Sequence, residues 1–264
     1  MTHPSSIKWR DFHPPSNAIR GRRANAVLSC CRRMISNTKS GLWTCGASVL
    51  QNEDFVMKTI EQAKSLELAE LFREAPVAVI SDNLDRLPGF LDMRPYHRGA
   101  KLVGPARTVR TRPGDNLMIH KVLELVQPGE VIVVAGEGDT TRALIGEIIV
   151  RIAQMRGVAG FVVDGAIRDL GTISAGTFPC FARGVIHRGP YKDGPGEIDV
   201  PIAMSGGTVV SPGDIIVGDE DGVVSFPQSI ARDLSGKVEA HLAKEAAILK
   251  SIANSTYTGA YSKS

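Results

Sequence analysis

Phe161-Val162-Val163-Asp164-Gly165-Ala166-Ile167-Arg168-Asp169 runs from an apolar, β-branched stretch straight into a charged cluster. A run of this length and composition predicts a buried strand over 161–164. Open α/β sheets place their ligand sites at the carboxyl ends of such strands, which is where the charges fall. Gly165 permits a sharp exit from the strand, so that Arg168 and Asp169 can point into a cleft.

Outward from this stretch, helix and strand patterns alternate. Upstream, Leu144, Ile148 and Ile152 with Ile145, Ile149 and Ala153 trace a helical stripe that ends near Arg156-Gly157, a natural C-cap. Before it come a strand over 131–135 and a helix from the turn Pro113-Gly114-Asp115-Asn116 to about Val126, stopped by Pro128-Gly129. The segment 100–111 is strand-like but broken by Gly104-Pro105, which predicts an edge or a bulge. Val77 to Ile80 reads as a strand, and Lys58 to Glu74 as a helix whose Ile60, Leu66, Ala69 and Phe72 can share a face. Between Pro179 and Phe226, short β-rich pieces and glycine or proline turns predict antiparallel strands. Ile230, Leu234, Val238 and Leu242 then recur every four residues in a long helix reaching about Leu249. The order predicts one α/β domain with a mixed sheet over 57–253, followed by a polar tail over 254–264.

Lys and Arg exceed Asp and Glu only by 31 to 28, which gives no electrostatic footprint of a nucleic-acid binder. The excess is concentrated at the start. Residues 1–50 hold eight basic residues against one acid, Asp11, so the remainder is slightly acidic and suits small substrates. Residues 1–56 show no sustained period, as in an unfolded extension, a targeting peptide or sequence upstream of the true start at Met57. No aliphatic run approaches the roughly 20 residues that cross a bilayer, so a soluble, cytoplasmic protein is expected. Cys30, Cys31, Cys45 and Cys180 have no zinc or redox spacing, and Cys180 in its apolar strand reads as packing. Gly136-Glu137-Gly138-Asp139 lacks the further glycine or lysine of a phosphate loop and reads as a turn.

Adjacent Arg168 and Asp169 suit a site that binds an anion beside a cation: a guanidinium forks a carboxylate or enolate oxygen, and a carboxylate holds a hard divalent metal. The same pair also suits a solvated surface contact worth at most about 1 kcal/mol. Gly146-Glu147 stands at the predicted start of the preceding helix, 21 residues before Arg168. Free amides over Gly146, Glu147, Ile148 and Ile149 would there form a site for a substrate carboxylate, with Glu147 near both substrate and metal. Glu147 is equally well explained as a first-turn acid that complements the helix dipole. Asp139 and Arg142 could reach the pocket mouth, although capping and solvating a helix start accounts for them better, and Arg188 could touch the distal part of a substrate or be a solvated loop charge. His120, among apolar neighbours in a predicted helix, reads as structural.

These residues resemble the family of 4-hydroxy-4-methyl-2-oxoglutarate aldolases and oxaloacetate decarboxylases, grouped with the regulators of ribonuclease activity A. The resemblance spans about 75–228 and is carried by Gly146-Glu147, the run to Asp164-Gly165, and Arg168-Asp169. It implies a swivelling β/β/α domain with a mixed central sheet and a long C-terminal helix, and a homotrimer or hexamer with sites between subunits. It further implies that Arg168 contacts the pyruvyl group, Asp169 ligates a divalent cation (Mg2+ or Mn2+), and Glu147 holds a metal-bound water. A glutamate from a neighbouring subunit's C-terminal helix completes the site in this family; Glu245 and Glu239 are the candidates. The implied substrate is a small 2-oxo acid, with no nucleic acid and no membrane as partner. A non-catalytic regulator that binds an RNA-degrading enzyme is the rival reading; those regulators lack the acid after the arginine, which is present here as Asp169. A methyltransferase reading finds no glycine-rich motif after an early strand.

Overall fold

A computed structural model describes residues 46–86 and 89–259. The chain divides into two units, Met1–Glu53 and Asp54–Ser264. Of the first, only the opening turns of helix α1 (Gly46–Glu70) are described, so most of the expected extension lies outside the described residues. In the second unit the order is α2 (Val77–Asp82), β1 (Arg94–Pro95), β2 (Leu102–Thr111), α3 (Leu117–Leu125), β3 (Val131–Ala135), β4 (Ala143–Ile145), α4 (Glu147–Met155), β5 (Gly160–Ile167), α5 (Leu170–Ala175) and β6 (Cys180–Val185). There follow β7 (Gly196–Ile198), β8 (Ile202–Ala203), β9 (Val209–Val210), β10 (Ile215–Asp219), β11 (Gly222–Phe226) and α6 (Ala231–Ala253).

Nine strands form the sheet, seven of them in the order β1-β6-β5-β3-β2-β10-β11, with β4 alongside β5 and β7 alongside β2. The centre, β6-β5-β3-β2, is parallel, and the flanks β1, β10 and β11 are antiparallel. The mixed sheet is therefore as expected, except that β6 runs parallel to β5 within the segment predicted to be antiparallel. Alternate residues feed opposite faces. Ile132, Val134, Phe161 and Val163 pack against α3 and α4, whereas Val131, Val133 and Val162 pack with Phe90, Ile202 and Met204. A third cluster joins α1, α2 and α6 to β10 and β11 through Leu68, Ile80, Val217, Phe226, Leu234 and Val238.

Four expectations are corrected. β2 is internal, between β3 and β10. Pro105 is tolerated because the N–H of Ala106 points to Asp214 on the β10 side, so the N–H that Pro105 lacks would point towards β3, whose pairing begins only at Ala106. Val77 to Ile80 is helical: Pro76 presets the first turn with φ −61°, and the Val77 N–H donates to Asp219 Oδ2 on β10 at 2.8 Å. The third concerns α1, which starts at Gly46 rather than Lys58 and leaves Ile60 exposed; Ala69 and Phe72 are buried as expected, and Ser65 and Leu68 join them. Finally, Leu144 and Ile145 lie in β4, not in a helix, and the buried face of α4 is Ile149, Val150 and Ala153.

Candidate active site

β4 and β5 are parallel neighbours with Ile145 beside Ile167, so the chain leaves both strands at the same edge of the sheet. Gly165 remains inside β5, where the pairing with β6 shifts register, and is not the exit. A Cβ there would stand 2.9 Å from Leu144 Cδ1; Gly165 thus allows close approach of β4. The exit is at Arg168, whose N–H donates to Ile145 O at 3.0 Å. Asp169 follows in the left-handed region (φ 58°, ψ 39°) as N-cap of α5. That backbone is uncommon for residues other than glycine, asparagine and aspartate, and here it turns the carboxylate back towards α4. Asp169 Oδ2 accepts the Glu147 N–H at 2.9 Å, so it satisfies one first-turn amide of α4 from across the gap.

Gly146 is the N-cap of α4 and lies under both functional side chains: a Cβ would stand 2.5 Å from Asp169 Oδ2 and 2.9 Å from Arg168 Cγ. Arg168 Nε is 3.8 Å from Asp169 Oδ2, and both side chains are about two-fifths exposed (42% and 43%). A pair so loose and wet contributes little to stability, and the guanidinium keeps its donors for another anion. Glu147 meets Arg151 at 3.5 Å and Thr172 Oγ1 at 3.4 Å, both weak contacts.

Around this edge lies a cavity of about 110 Å³ lined by Gly146, Ile148, Ile149, Arg168 and Asp169, and also by Asn116, His120 and Lys192. The last three were not found from sequence as site residues, because α3 and the segment between β6 and β7 reach the cavity only through tertiary packing. Asn116 is 4% exposed; its Nδ2 donates to Leu144 O at 3.0 Å, and its Oδ1 has no partner. Burial, helped by the charge of Lys192, holds the His120 imidazole below its ordinary pKa. Larger hollows exist, among them one of about 650 Å³ beside α1, but the Arg107 that lines it is closed onto Glu130 and Asp199. The smaller cavity has the open cation, the open carboxylate and the free helix amides together.

Residues 77–225 match the model of the RraA-like family, described as Aldolase/RraA. The chain belongs to this family. A Halalkalibacterium halodurans protein provisionally named a 4-hydroxy-4-methyl-2-oxoglutarate aldolase is 41% identical over 184 residues, which cover 69% of this chain and 87% of that one. A Thermus thermophilus protein named 4-hydroxy-4-methyl-2-oxoglutarate aldolase is 32% identical over 63% of this chain and 94% of its own. Among solved structures, Streptomyces coelicolor RraAS2, called an unusual member of the RNase ES inhibitor RraA protein family, superposes with a TM-score of 0.62. It is 30% identical and covers 68% of this chain and 95% of that one.

Within this RraA-like domain, Gly146, Ile148, Ile149, Arg168 and Asp169 come together on the cavity wall, with Glu147 at its edge. Asp139, Arg142 and Arg188 do not line it. Asp139 Oδ1 accepts the Thr141 N–H at 2.9 Å, and Arg142 donates to Gly189 O at 2.9 Å and lies 4.0 Å over the Tyr191 ring. Glu239 and Glu245 belong to α6, which packs with α2 against β10 and β11; Glu245 pairs with His241 at 3.5 Å. Among the described residues no group of three or more His, Cys, Asp or Glu side chains could hold a metal ion. Within one chain, Asp169 and Glu147 supply two carboxylates. An all-oxygen set of that size fits a hard cation such as Mg2+, which keeps several waters and is bound by one or two carboxylates plus substrate. Among the described residues no helix is long and apolar enough to cross a membrane.

Proposed function

We propose that the chain is a lyase that cleaves 4-hydroxy-2-oxo acids by retro-aldol reaction and decarboxylates oxaloacetate, releasing pyruvate in both cases. One observation carries this reading: the Arg168 guanidinium and the Asp169 carboxylate meet the first turn of α4 in one cavity, over a glycine where a Cβ would crowd both. The N–H groups of Ile148 and Ile149, unsatisfied within the helix, suit the substrate's 1-carboxylate. Arg168 supports the negative charge that reaches the C2 oxygen when the C3–C4 bond breaks and its electron pair moves into the enolate. Glu147, acting through a water, takes the C4 hydroxyl proton, so that C4 leaves as a carbonyl. In oxaloacetate the bond to the 4-carboxyl group breaks instead, carbon dioxide leaves, and no base is needed. Protonation of the enolate at C3 gives pyruvate. Lys192 adds a second cation to the wall, which suits the distal carboxylate of a 2-oxo diacid.

Asp169 directly and Glu147 through a water would hold the divalent cation, Mg2+ or Mn2+, which when bound supplies Lewis acidity at the keto oxygen. The third carboxylate is Glu245 of a neighbouring copy in a trimer or hexamer. The outward face of α4 supports such assembly, with Ile148 70% and Met155 77% exposed at helical spacing beside the cavity.

Pyruvate release from 4-hydroxy-4-methyl-2-oxoglutarate and from oxaloacetate, with and without chelator, tests the reading. Expected are turnover of both, loss on chelation with recovery on added Mg2+, and a fall of about a thousandfold in Asp169→Ala. Full activity after chelation or in Asp169→Ala would reject the scheme. The likeness to RraAS2 gives the regulator reading its weight. An inert chain that co-purifies with an RNA-degrading enzyme would establish that alternative.

A further inference from the structure

Lys192 stands on the segment 186–195 between β6 and β7, which is held almost entirely by what it touches. Arg188 O accepts the Ala143 N–H at 2.9 Å, and Tyr191 exchanges backbone hydrogen bonds with Gly114 and Asn116 at 2.8 and 3.0 Å. Gly189 lies against Arg168: a Cβ there would be 3.1 Å from Nη1. Arg142 holds Gly189 O and the Tyr191 hydroxyl from outside, and a further anchor is Asp115, which is fully buried. Its Oδ1 accepts the Leu117 N–H at 2.9 Å and so satisfies the first amide of α3, the helix that carries His120, from one residue before the Asn116 N-cap. Its Oδ2 accepts the N–H of Asp193 at 2.7 Å and of Gly194 at 2.9 Å. The Asp193 N–H belongs to the same peptide unit as the Lys192 carbonyl, so this bond fixes the backbone of Lys192 directly. Capping alone needs one oxygen and does not call for a buried charge, since a serine or asparagine caps as well. The second oxygen is what joins the Lys192 segment to the helix of His120.

We propose that Asp115 is a positioning residue of the active site, one buried carboxylate that sets Lys192 against α3 and thereby favours substrates with a second carboxylate. The inference rests on the lyase reading above. Asp115→Asn keeps the volume but leaves one acceptor oxygen and turns an NH2 towards N–H donors, so either the cap or the loop is lost. Arg142→Met loosens the same segment from outside, at Gly189 O and Tyr191, without touching the buried carboxylate.

The test compares 4-hydroxy-4-methyl-2-oxoglutarate with 4-hydroxy-2-oxopentanoate, which has a methyl group in place of the distal carboxylate. In Asp115→Asn, KM should rise about fivefold for the diacid and under about twofold for the monoacid, the size of one displaced exposed ion pair. In a Lys192→Met background the same substitution should change KM for the diacid by under about twofold, because the two act through one contact. Arg142→Met should show the same split between substrates, smaller in size, and carries the test alone if Asp115→Asn does not fold by circular dichroism. Equal KM changes for the two substrates, or multiplicative effects in the double variant, overturn the inference while an active wild type leaves the lyase reading standing. A wild type that releases no pyruvate from either compound overturns both.

Discussion

At Gly146 the absent side chain decides the geometry. The contact that a methyl group would make, 2.5 Å to Asp169 Oδ2, is with the far end of a side chain, so the carboxylate can swing away without moving the backbone. The swing breaks the 2.9 Å bond from the Glu147 N–H and pushes on Arg168, whose Cγ lies 2.9 Å from the same point. Gly146→Ala is therefore expected to melt within a few degrees of wild type and to lose about a hundredfold in kcat/KM for pyruvate release, the scale of an ångström of misplacement in a reacting group. A loss below about threefold would mean that neither side chain needs its observed position. The sequence pointed to Gly146 for its amide, at the start of a helix beside an acid. That Gly146 serves as clearance for two residues 22 and 23 positions on could not be read, because no local pattern states what approaches a missing Cβ.

The same limit acts on whole elements. The apolar run of β5 was legible because burial on both faces leaves an unbroken signature, and so were α3 and the long α6, whose faces repeat regularly. α4 was legible as a helix but not in its orientation. Its apolar residues cover more than one face, and which face packs on the sheet depends on where β4 ends. Val77–Asp82 carries strand-forming residues and is a helix because Pro76 and Asp219, one local and one distant, fix its start. Asp115 is the strongest instance of a distant partner deciding an element's end. Burial pushes its carboxyl up, but the N–H groups of Leu117, Asp193 and Gly194 and the Arg112 guanidinium outweigh this and hold it below the ordinary value of 3.8. A carboxylate depressed on folding stabilises the fold at pH values above its unfolded pKa, and that stabilisation fades as pH falls through the folded one. Asp115→Asn should thus melt lower than wild type at neutral pH, with the gap narrowing below about pH 4. Melting curves between pH 7 and pH 3 check this, and a gap that stays constant or widens on acidification would show that the ionised carboxylate is not what holds α3 to the Lys192 segment.

Across the whole molecule, the candidate residues are divided between two places. Arg168, Asp169 and Glu147 stand at the ends of β5 and β4, whereas Glu245 rides on α6 over β10 and β11, and β3 and β2 intervene in the sheet. Past Leu242 the helix has no core of its own: Leu249 is 65% and Ile252 52% exposed, so the segment bearing Glu245 is free to lie against another copy. If Glu245 completes the proposed site it must come from another chain, since β3 and β2 separate the two places within one. Closed rings make the consequence countable. Each site would need Asp169 from one chain and Glu245 from the next, so Asp169→Ala and Glu245→Ala chains should each be nearly inactive alone. Co-expressed in equal amounts, they place an intact Asp169 beside an intact Glu245 at about one interface in four, and pyruvate release should recover to about a quarter of wild type. Purified mixed rings, with composition checked by mass spectrometry, give the measurement. Recovery would require Glu245 to act across the interface, whereas mixed rings as inactive as either parent, or a Glu245→Ala enzyme that is active by itself, would return that glutamate to the solvated face of its own helix.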